Sequence, residues 1–237
     1  MSSVTDFHTH ILPCVDDGSQ SMEQSLQMLS MQIQQGVGRV GLTPHFYPQY
    51  QELDEFLQQR DAAFEALQAA VKDLPQCPNL YLGAEVHYYA GMSNSEELRR
   101  LTVGNTPYIL VEMPVRPWND RDSRELEQIH RKLGLIPIIA HLDRYLGPFR
   151  TKRIFRRLEA LPVKIQVNTT FFTEKATCRK ALRYLQAESI HFIGSDCHST
   201  EHRKPNMKEA TDRICRGAAE QKLAYLQSQA EAVFCKM

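Results

Sequence analysis

Two histidines stand one residue apart near the start of the chain, within the stretch DFHTHILPCVDDG. Because alternate side chains of an extended strand share a face, His8 and His10 point to the same side. Two converging imidazoles suit a metal ion, although a hydrogen-bonded pair of structural histidines is the alternative. Asp16 and Asp17 follow closely, and either could add a carboxylate ligand. Asp17 could instead cap the helix that begins near Ser19.

The same residue types recur near the ends of later β-rich runs. They are His45, Glu85, Glu112, His141, Asp196 and His198. Together with His8, His10 and one of the two aspartates, they exceed what a single ion uses, because a catalytic zinc takes about three protein ligands. This number of candidate ligands fits about two or three clustered cations. Such clusters occur in phosphoryl-transfer hydrolases, where one ion activates water and others hold phosphate oxygens. Imidazole and carboxylate without thiolate suit manganese, iron or zinc.

Seven short runs with β-type composition must position these side chains. We expect strands over 4–10, 39–46, 79–88, 108–114, 135–142, 163–168 and 191–198. Runs with helical periodicity lie between several of them, over 21–36, 52–71, 123–134 and 174–188. Alternating strands and helices predict parallel βα units, and seven such units favour a barrel over an open sheet. Parallel barrels carry their active sites at the carboxyl ends of the strands, which is where the metal-capable residues fall.

Composition narrows the class of protein. The chain has 28 basic residues (Lys plus Arg) and 28 acidic residues (Asp plus Glu), so its formal charge is zero. This balance argues against a basic surface that binds nucleic acid or anionic membranes. No apolar run approaches the roughly 20 residues of a membrane span, and the first residues do not read as a signal peptide. Six cysteines without a C-x-x-C pair indicate reduced thiols in a cytoplasmic protein. We expect one domain over 1–237 with a helical tail at about 206–237.

The motifs resemble those of the polymerase-and-histidinol-phosphatase (PHP) superfamily, whose members carry H-x-H on the first strand of a distorted (β/α)7 TIM-like barrel. Within it, the chain is most similar to bacterial metal-dependent protein-tyrosine phosphatases of capsular and exopolysaccharide biosynthesis. One departure is HLDR, where that family usually has His-Pro-Glu-Arg. The matching motifs, in family order, are HTHILPCVDDG (8–18), TPH (43–45), GAE (83–85), EMP (112–114), AHLDR (140–144) and GSDCHSTEHR (194–203).

The resemblance implies a trinuclear metal site and a phosphotyrosine substrate on a bacterial tyrosine kinase. Arg144 and Arg203 match the family's arginines and would bind substrate phosphate and stabilise developing charge. Asp17, with Asp16 as its alternative, would serve the metal site and catalysis. The implied ligand sets are His8, His10, Glu85 and Asp196 for the first ion, Glu85, Glu112 and His141 for the second, and Asp17, His45 and His198 for the third.

Other interpretations stay open at the level of sequence. The substrate could be a small phosphomonoester such as histidinol phosphate, or the chain could be a non-catalytic, metal-stabilised regulatory module. Cys197 and Arg203 also satisfy the C-x(5)-R pattern of cysteine-dependent phosphatases, but the intervening residues lack glycine and Cys197 is expected to face away from the site. His87 and Asn168 could support ligands. Neither nucleic-acid binding nor membrane insertion is expected, and the protein could form a homo-oligomer.

Overall fold

All strand pairs in the structure are parallel, and helices connect most of the strands. This computed structural model describes residues 4–146, 152–218 and 220–234. Within those ranges, no helix has both the length and the apolar composition needed to cross a membrane. The strands are β1 (Val4–Thr9), β2 (Val37–Leu42), β3 (His45–Phe46), β4 (Asn79–Leu82), β5 (Glu85–His87), β6 (Tyr108–Glu112), β7 (Ile136–Ile139), β8 (Lys164–Asn168) and β9 (Phe192–Gly194).

The strands form two sheets, ordered β1-β2-β4 and β3-β5-β6-β7-β8-β9. The predictions of single strands over 39–46 and 79–88 are therefore wrong, because each run is divided between the sheets. Pro44 lies at the first break and has no N–H to donate to a ladder. Backbone hydrogen bonds between the two runs nevertheless continue across the breaks, since the Gly83 N–H donates to the Leu42 carbonyl and the Glu85 N–H to the Pro44 carbonyl, both at 2.9 Å.

The chain that follows β9 lies beside the end of β1. The Asp196 N–H donates to the His8 carbonyl at 2.9 Å, and the His10 N–H donates to the Cys197 carbonyl at 3.0 Å. The last strand ends earlier than predicted because Asp196 adopts a left-handed φ of 52°. These contacts bring the first and last sequence motifs together.

Each predicted helical segment contains a helix, two of these helices begin several residues from the predicted start, and the helix Lys152–Glu159 has no predicted counterpart. One helix begins three residues early, at Asp120, because Asn119 and Asp122 form a reciprocal capping box. The segment predicted over 174–188 begins only at Cys178, after a separate short helix. The helices are α1 (Met22–Gln34), α2 (Leu53–Val71), α3 (Asp120–Leu133), α4 (Lys152–Glu159), α5 (Thr170–Thr173), α6 (Cys178–Gln186), α7 (Met207–Ala218) and α8 (Glu220–Phe234).

Helix α8 is fastened to the sheets by an aromatic cluster. The Phe234 ring lies 3.9 Å from the ring of Tyr81 and 5.3 Å from that of Phe7, measured between centroids. Phe7 in turn stacks on Phe192 of β9 at 4.3 Å. The three phenylalanines are buried. Because Phe7 immediately precedes His8, this cluster supports the strand that carries the first two candidate ligands.

We therefore predict that Phe234→Ala lowers the free energy of unfolding by about 3–5 kcal/mol, since a buried ring is lost and a cavity remains. Chemical denaturation followed by circular dichroism measures this change. Gln221→Ala, at an exposed position of the same helix, is the control and should change stability by less than about 0.5 kcal/mol. A loss below about 1 kcal/mol for Phe234→Ala would show that α8 is not held by this cluster.

Candidate metal centre

Glu85 occupies the middle of the site. It is buried at the start of β5, and strand pairing puts it opposite His45 of β3. Its Oε2 atom lies 3.2 Å from His8 Nε2 and 3.0 Å from His45 Nδ1, and its Oε1 atom lies 2.8 Å from His141 Nε2. Burial alone would raise the pKa of Glu85, but the neighbouring imidazoles of His8 and His141 hold it well below its usual value.

His8 and His10 converge as the sequence predicts. Their Nε2 atoms are 3.1 Å apart, and both side chains are buried. The other ring nitrogen of His10, Nδ1, lies 2.6 Å from Asp16 Oδ2. Burial would lower the pKa of His10, but the charge of Asp16 outweighs it and raises that pKa well above its usual value. Asp16 thus orients the His10 ring, with Nε2 facing the centre.

The two neighbouring aspartates have different surroundings. The Asp16 carboxylate also accepts the backbone N–H groups of Gly18 and His45, at 2.9 and 2.8 Å. Asp17 Oδ1 instead lies 3.4 Å from His198 Nε2 and 3.6 Å from His45 Nε2. A hydrogen bond with His198 is the main cause that lowers the pKa of Asp17. Asp17 does not cap the next helix, because Ser21 is the N-cap of α1.

Glu112 extends the centre along the sheet. Its Oε1 atom lies 3.5 Å from His141 Nε2, and its Oε2 atom lies 3.0 Å from His87 Nδ1. The register of β5 and β6 pairs His87 directly with Glu112. Burial would raise the pKa of Glu112, but hydrogen bonds with His141 and His87 lower it to about 2. His87, whose role the sequence leaves open, therefore contacts a candidate ligand from the outside.

Asp196 connects the imidazoles to both arginines. Its Oδ1 atom lies 3.4 Å from His10 Nε2 and 2.5 Å from Arg203 Nη2, and its Oδ2 atom lies 2.5 Å from Arg144 Nη2. The side chains of Arg144 and Arg203 are 39% and 43% exposed. Both guanidinium groups therefore stand at the mouth of the site, with one side on Asp196 and the other open to solvent. Arg144 therefore reaches the site although the chain has HLDR where the family usually has His-Pro-Glu-Arg.

Gln166 is a functional candidate that the sequence reasoning missed. This buried residue of β8 accepts the His141 backbone N–H at 2.6 Å, and its Oε1 atom lies 3.3 Å from His8 Nδ1. Its Nε2 atom donates to Asn168 Oδ1 at 3.2 Å, and Asn168 Nδ2 donates to Asp196 Oδ2 at 2.8 Å. The sequence feature that could have identified Gln166 is its place in the apolar run VKIQVN. It stands two residues before Asn168 and therefore on the same face of the strand.

Several other residues singled out in the sequence lie away from the centre. Cys197 is buried in the hydrophobic core, and burial raises the pKa of its thiol, so it is not poised as a nucleophile at the mouth. Two further histidines also lie outside the centre: His191 accepts the Ile165 N–H at 3.2 Å. The ring of His130 is half-buried, and its Nδ1 lies 3.1 Å from the Leu135 carbonyl.

The arrangement of donor atoms fits divalent cations. Buried His45 Nδ1 has no well-aligned hydrogen bond, although it lies 3.0 Å from Glu85 Oε2, and the contact of His198 Nε2 with Asp17 Oδ1 is a long one of 3.4 Å. A cation would satisfy such inward-facing nitrogens, and mixed imidazole and carboxylate donors suit first-row metals. Three overlapping groups each offer ligand atoms within 4.8 Å of one another, and these groups are His10, Asp17, His45 and His198; His8, His10 and Glu85; and His45, Glu85 and Glu112.

We predict that Gln166→Leu weakens Mn²⁺ binding about 10- to 100-fold, because outer hydrogen-bond partners fix the orientation of metal ligands. Titration calorimetry of Mn²⁺ into metal-free protein measures the affinity. Gln229→Leu is the matched control, since this glutamine of α8 accepts from Lys164 at 3.2 Å, away from the site. Unchanged affinity in a folded Gln166→Leu variant would contradict the orienting role.

The metal-free protein should lose stability in alkali. Burial lowers the pKa of His141, but the charge of Glu85 and hydrogen bonds with Glu112 and Glu85 raise it from 6.5 to about 9. The stabilisation is therefore complete below pH 6.5 and is lost as the pH rises through about 9. We expect the free energy of unfolding in EDTA to fall by at most about 3 kcal/mol over this range. An equal fall in His141→Asn would contradict this assignment.

Known proteins share both the sequence pattern and the fold of this chain. Tyrosine-protein phosphatase CpsB of Streptococcus pneumoniae is 29% identical over 226 residues, which cover 89% of each chain. A solved structure from the work on Bacillus subtilis YwqE and Streptococcus pneumoniae CpsB, described as metal-dependent tyrosine phosphatases, superposes with a TM-score of 0.83. That match has 24% sequence identity and covers 99% of this chain and 95% of the other.

A more distant match shows how widely the fold is shared. The structure of a candidate histidinol phosphatase, hisK of Listeria monocytogenes, has a TM-score of 0.52 and 14% identity, over 82% of this chain and 95% of that chain. At this identity the likeness concerns the fold alone. The family model for capsular polysaccharide synthesis, CpsB/CapC, matches residues 4–233. The chain therefore belongs to the CpsB/CapC family of capsular polysaccharide synthesis.

Proposed function

We propose that this protein is a metal-dependent phosphoric monoester hydrolase that removes phosphate from phosphotyrosine. The observation that carries the proposal is the buried imidazole and carboxylate centre beside two half-exposed arginines. Arg144, Arg203 and Asp196 line a cleft of about 580 Å³ that borders this centre. Such a cleft can admit a phosphorylated side chain that projects from a protein. The relatives named tyrosine-protein phosphatase support the same substrate class.

We further propose that about two or three divalent cations occupy the centre, with manganese, iron or zinc as the candidates. When bound, they would supply the charge that activates water and neutralises phosphate oxygens. Glu85 would be shared between two of the ions. The proposed ligand sets are His8, His10, Glu85 and Asp196; Glu85, Glu112 and His141; and Asp17, His45 and His198, and the contacts among these side chains support them.

The protein's own residues have distinct tasks in this proposal. Arg144 and Arg203 bind phosphate oxygens and stabilise the charge that develops on them during transfer. Asp17, exposed at the edge of the centre, is positioned to interact with the attacking water. The tyrosyl oxygen leaves as a phenolate with a solution pKa of about 10, so a strong general acid is less necessary than for an alkyl phosphate.

The same proposal extends to the architecture and the partner. The backbone contacts between β1 and the chain after β9, and those across the Pro44 and Gly83 breaks, support one distorted (β/α)7 barrel over 1–237. The helices of 207–234 would then be its carboxyl-terminal part. Since the family is that of capsular polysaccharide synthesis, we propose a bacterial tyrosine kinase of that process as the phosphorylated partner.

A small phosphomonoester such as histidinol phosphate is the second candidate substrate, favoured by the fold shared with the Listeria protein. The values of kcat/KM on a phosphotyrosyl peptide and on histidinol phosphate separate the two proposals. A higher value for the peptide supports the protein substrate. A non-catalytic module would show no turnover of either compound after metal loading, although the filled ligand positions argue against such a module.

We predict that Arg203→Ala lowers kcat/KM for p-nitrophenyl phosphate by about 10²- to 10³-fold, because a donor to the developing phosphate charge is lost. Arg179→Ala, at an exposed site on α6, is the matched control and should retain full activity. EDTA should abolish turnover, and Cys197→Ser should leave it intact. Activity that survives EDTA and disappears in a folded Cys197→Ser variant would instead support cysteine chemistry.

A further inference from the structure

Two tyrosines extend from the metal centre to the solvent. Tyr47 follows His45 by two residues, and its ring centroid lies 5.0 Å from that of His45 and 5.4 Å from that of His87. The Tyr50 ring lies 6.4 Å from the Tyr47 ring on the outer side. We call Tyr47 and Tyr50 the tyrosine wall. It leads outward from one candidate ligand, His45, and from His87, which contacts another.

The outer part of this wall is unusually exposed. Among the described residues, the exposed large hydrophobic side chains are Tyr50, at 86%, and Val115, at 72%. Tyr50 follows β3 and Val115 follows β6, and both of these strands pair with β5, which carries Glu85. Both side chains therefore lie at the carboxyl edge that surrounds the centre. Ligand sites commonly combine such apolar surfaces with a few polar groups that fix the ligand's orientation.

Tyr47 and the two arginines approach the centre from different strands, since Tyr47 follows β3. The arginines reach the centre from other strands, because Arg144 follows β7 and Arg203 follows β9. The phosphate and the group that carries it thus have separate surfaces to contact.

We propose that Tyr47, extended by Tyr50, is the surface against which the aromatic ring of an aryl phosphate packs while Arg144 and Arg203 hold the phosphate. This inference rests on the proposed phosphatase function and assigns a specificity-determining residue to it. Aromatic rings attract each other at centroid distances of about 4.5–7 Å. An alkyl group of similar size lacks this interaction, so the wall favours phosphotyrosine over alkyl phosphates.

The test compares inhibitors that cannot be hydrolysed, which removes differences in leaving-group reactivity. Phenylphosphonate carries an aromatic ring and cyclohexylphosphonate a saturated ring of similar size, and each inhibition constant is measured against p-nitrophenyl phosphate with Mn²⁺-loaded protein. We expect Tyr47→Ala to reduce the preference for phenylphosphonate about three- to ten-fold. Tyr50→Ala should reduce it less, and Tyr47→Phe should preserve it. Tyr225→Ala on α8 is the control variant and should also preserve it.

Three outcomes would count against the inference. Equal weakening of both phosphonates by Tyr47→Ala would show that Tyr47 only supports His45 and His87. An unchanged preference in both Tyr47→Ala and Tyr50→Ala would overturn the wall as a binding surface while leaving the phosphatase proposal intact. Absence of p-nitrophenyl phosphate turnover by the metal-loaded natural sequence would overturn the proposed function itself, and the inference with it. Because Tyr50 is exposed, its variant gives a result even if Tyr47→Ala does not fold.

Discussion

A buried carboxylate surrounded by imidazoles is the constraint on which the rest of the structure depends. Glu85 lies within 3.5 Å of ring nitrogens from His8, His10, His45 and His141, which come from the ends of three further strands. An ionised carboxylate removed from water needs opposite charge and hydrogen bonds close by. The two sheets must therefore be held in a register that delivers these side chains together, and the parallel pairing of His45 with Glu85 fixes one such contact directly.

A second layer of hydrogen bonds turns this cluster into an oriented site. Asp16 holds the outer nitrogen of His10, His87 holds Glu112, and Gln166 connects His8 and His141 to Asn168. These contacts use ring or carboxylate atoms of the candidate ligands other than those that meet at Glu85, and for His141 the backbone N–H. The inward nitrogens and oxygens remain aimed at one another. Imidazole nitrogens and carboxylate oxygens that converge in this way are favourable for cations.

The sequence predicted well which side chains converge, because that convergence depends on residue type and strand periodicity. His8 and His10 share a face in any extended strand, and the other candidate ligands fall near later strand ends. Periodicity could not reveal the role of Gln166, because a single glutamine in a strand forms no pattern. For the same reason it could not show which residues Asp16 and Asp17 contact. Their roles depend on contacts between segments far apart in the chain.

The strand boundaries failed for a related reason. A periodic apolar run does not show where a strand changes its pairing partner. The runs that contain Pro44 and Gly83 were therefore each predicted as one continuous strand. The left-handed backbone at Asp196 was equally hidden, because an aspartate carries no strong preference for that conformation. Yet the candidate ligands beyond these irregularities, Glu85 and Asp196, still reach the centre. The breaks divide two of the runs between the sheets, but the side chains still converge.

The most direct test of the central claim is an anomalous-scattering experiment on crystals of the protein grown with Mn²⁺. Several separate Mn²⁺ peaks should appear, each at about 2.0–2.3 Å from its protein ligand atoms. The carboxylate of Glu85 should lie between two of these peaks. If well-ordered crystals at saturating Mn²⁺ show no anomalous peak among Glu85, His8, His10 and His45, the cluster is not a metal centre and the account is wrong.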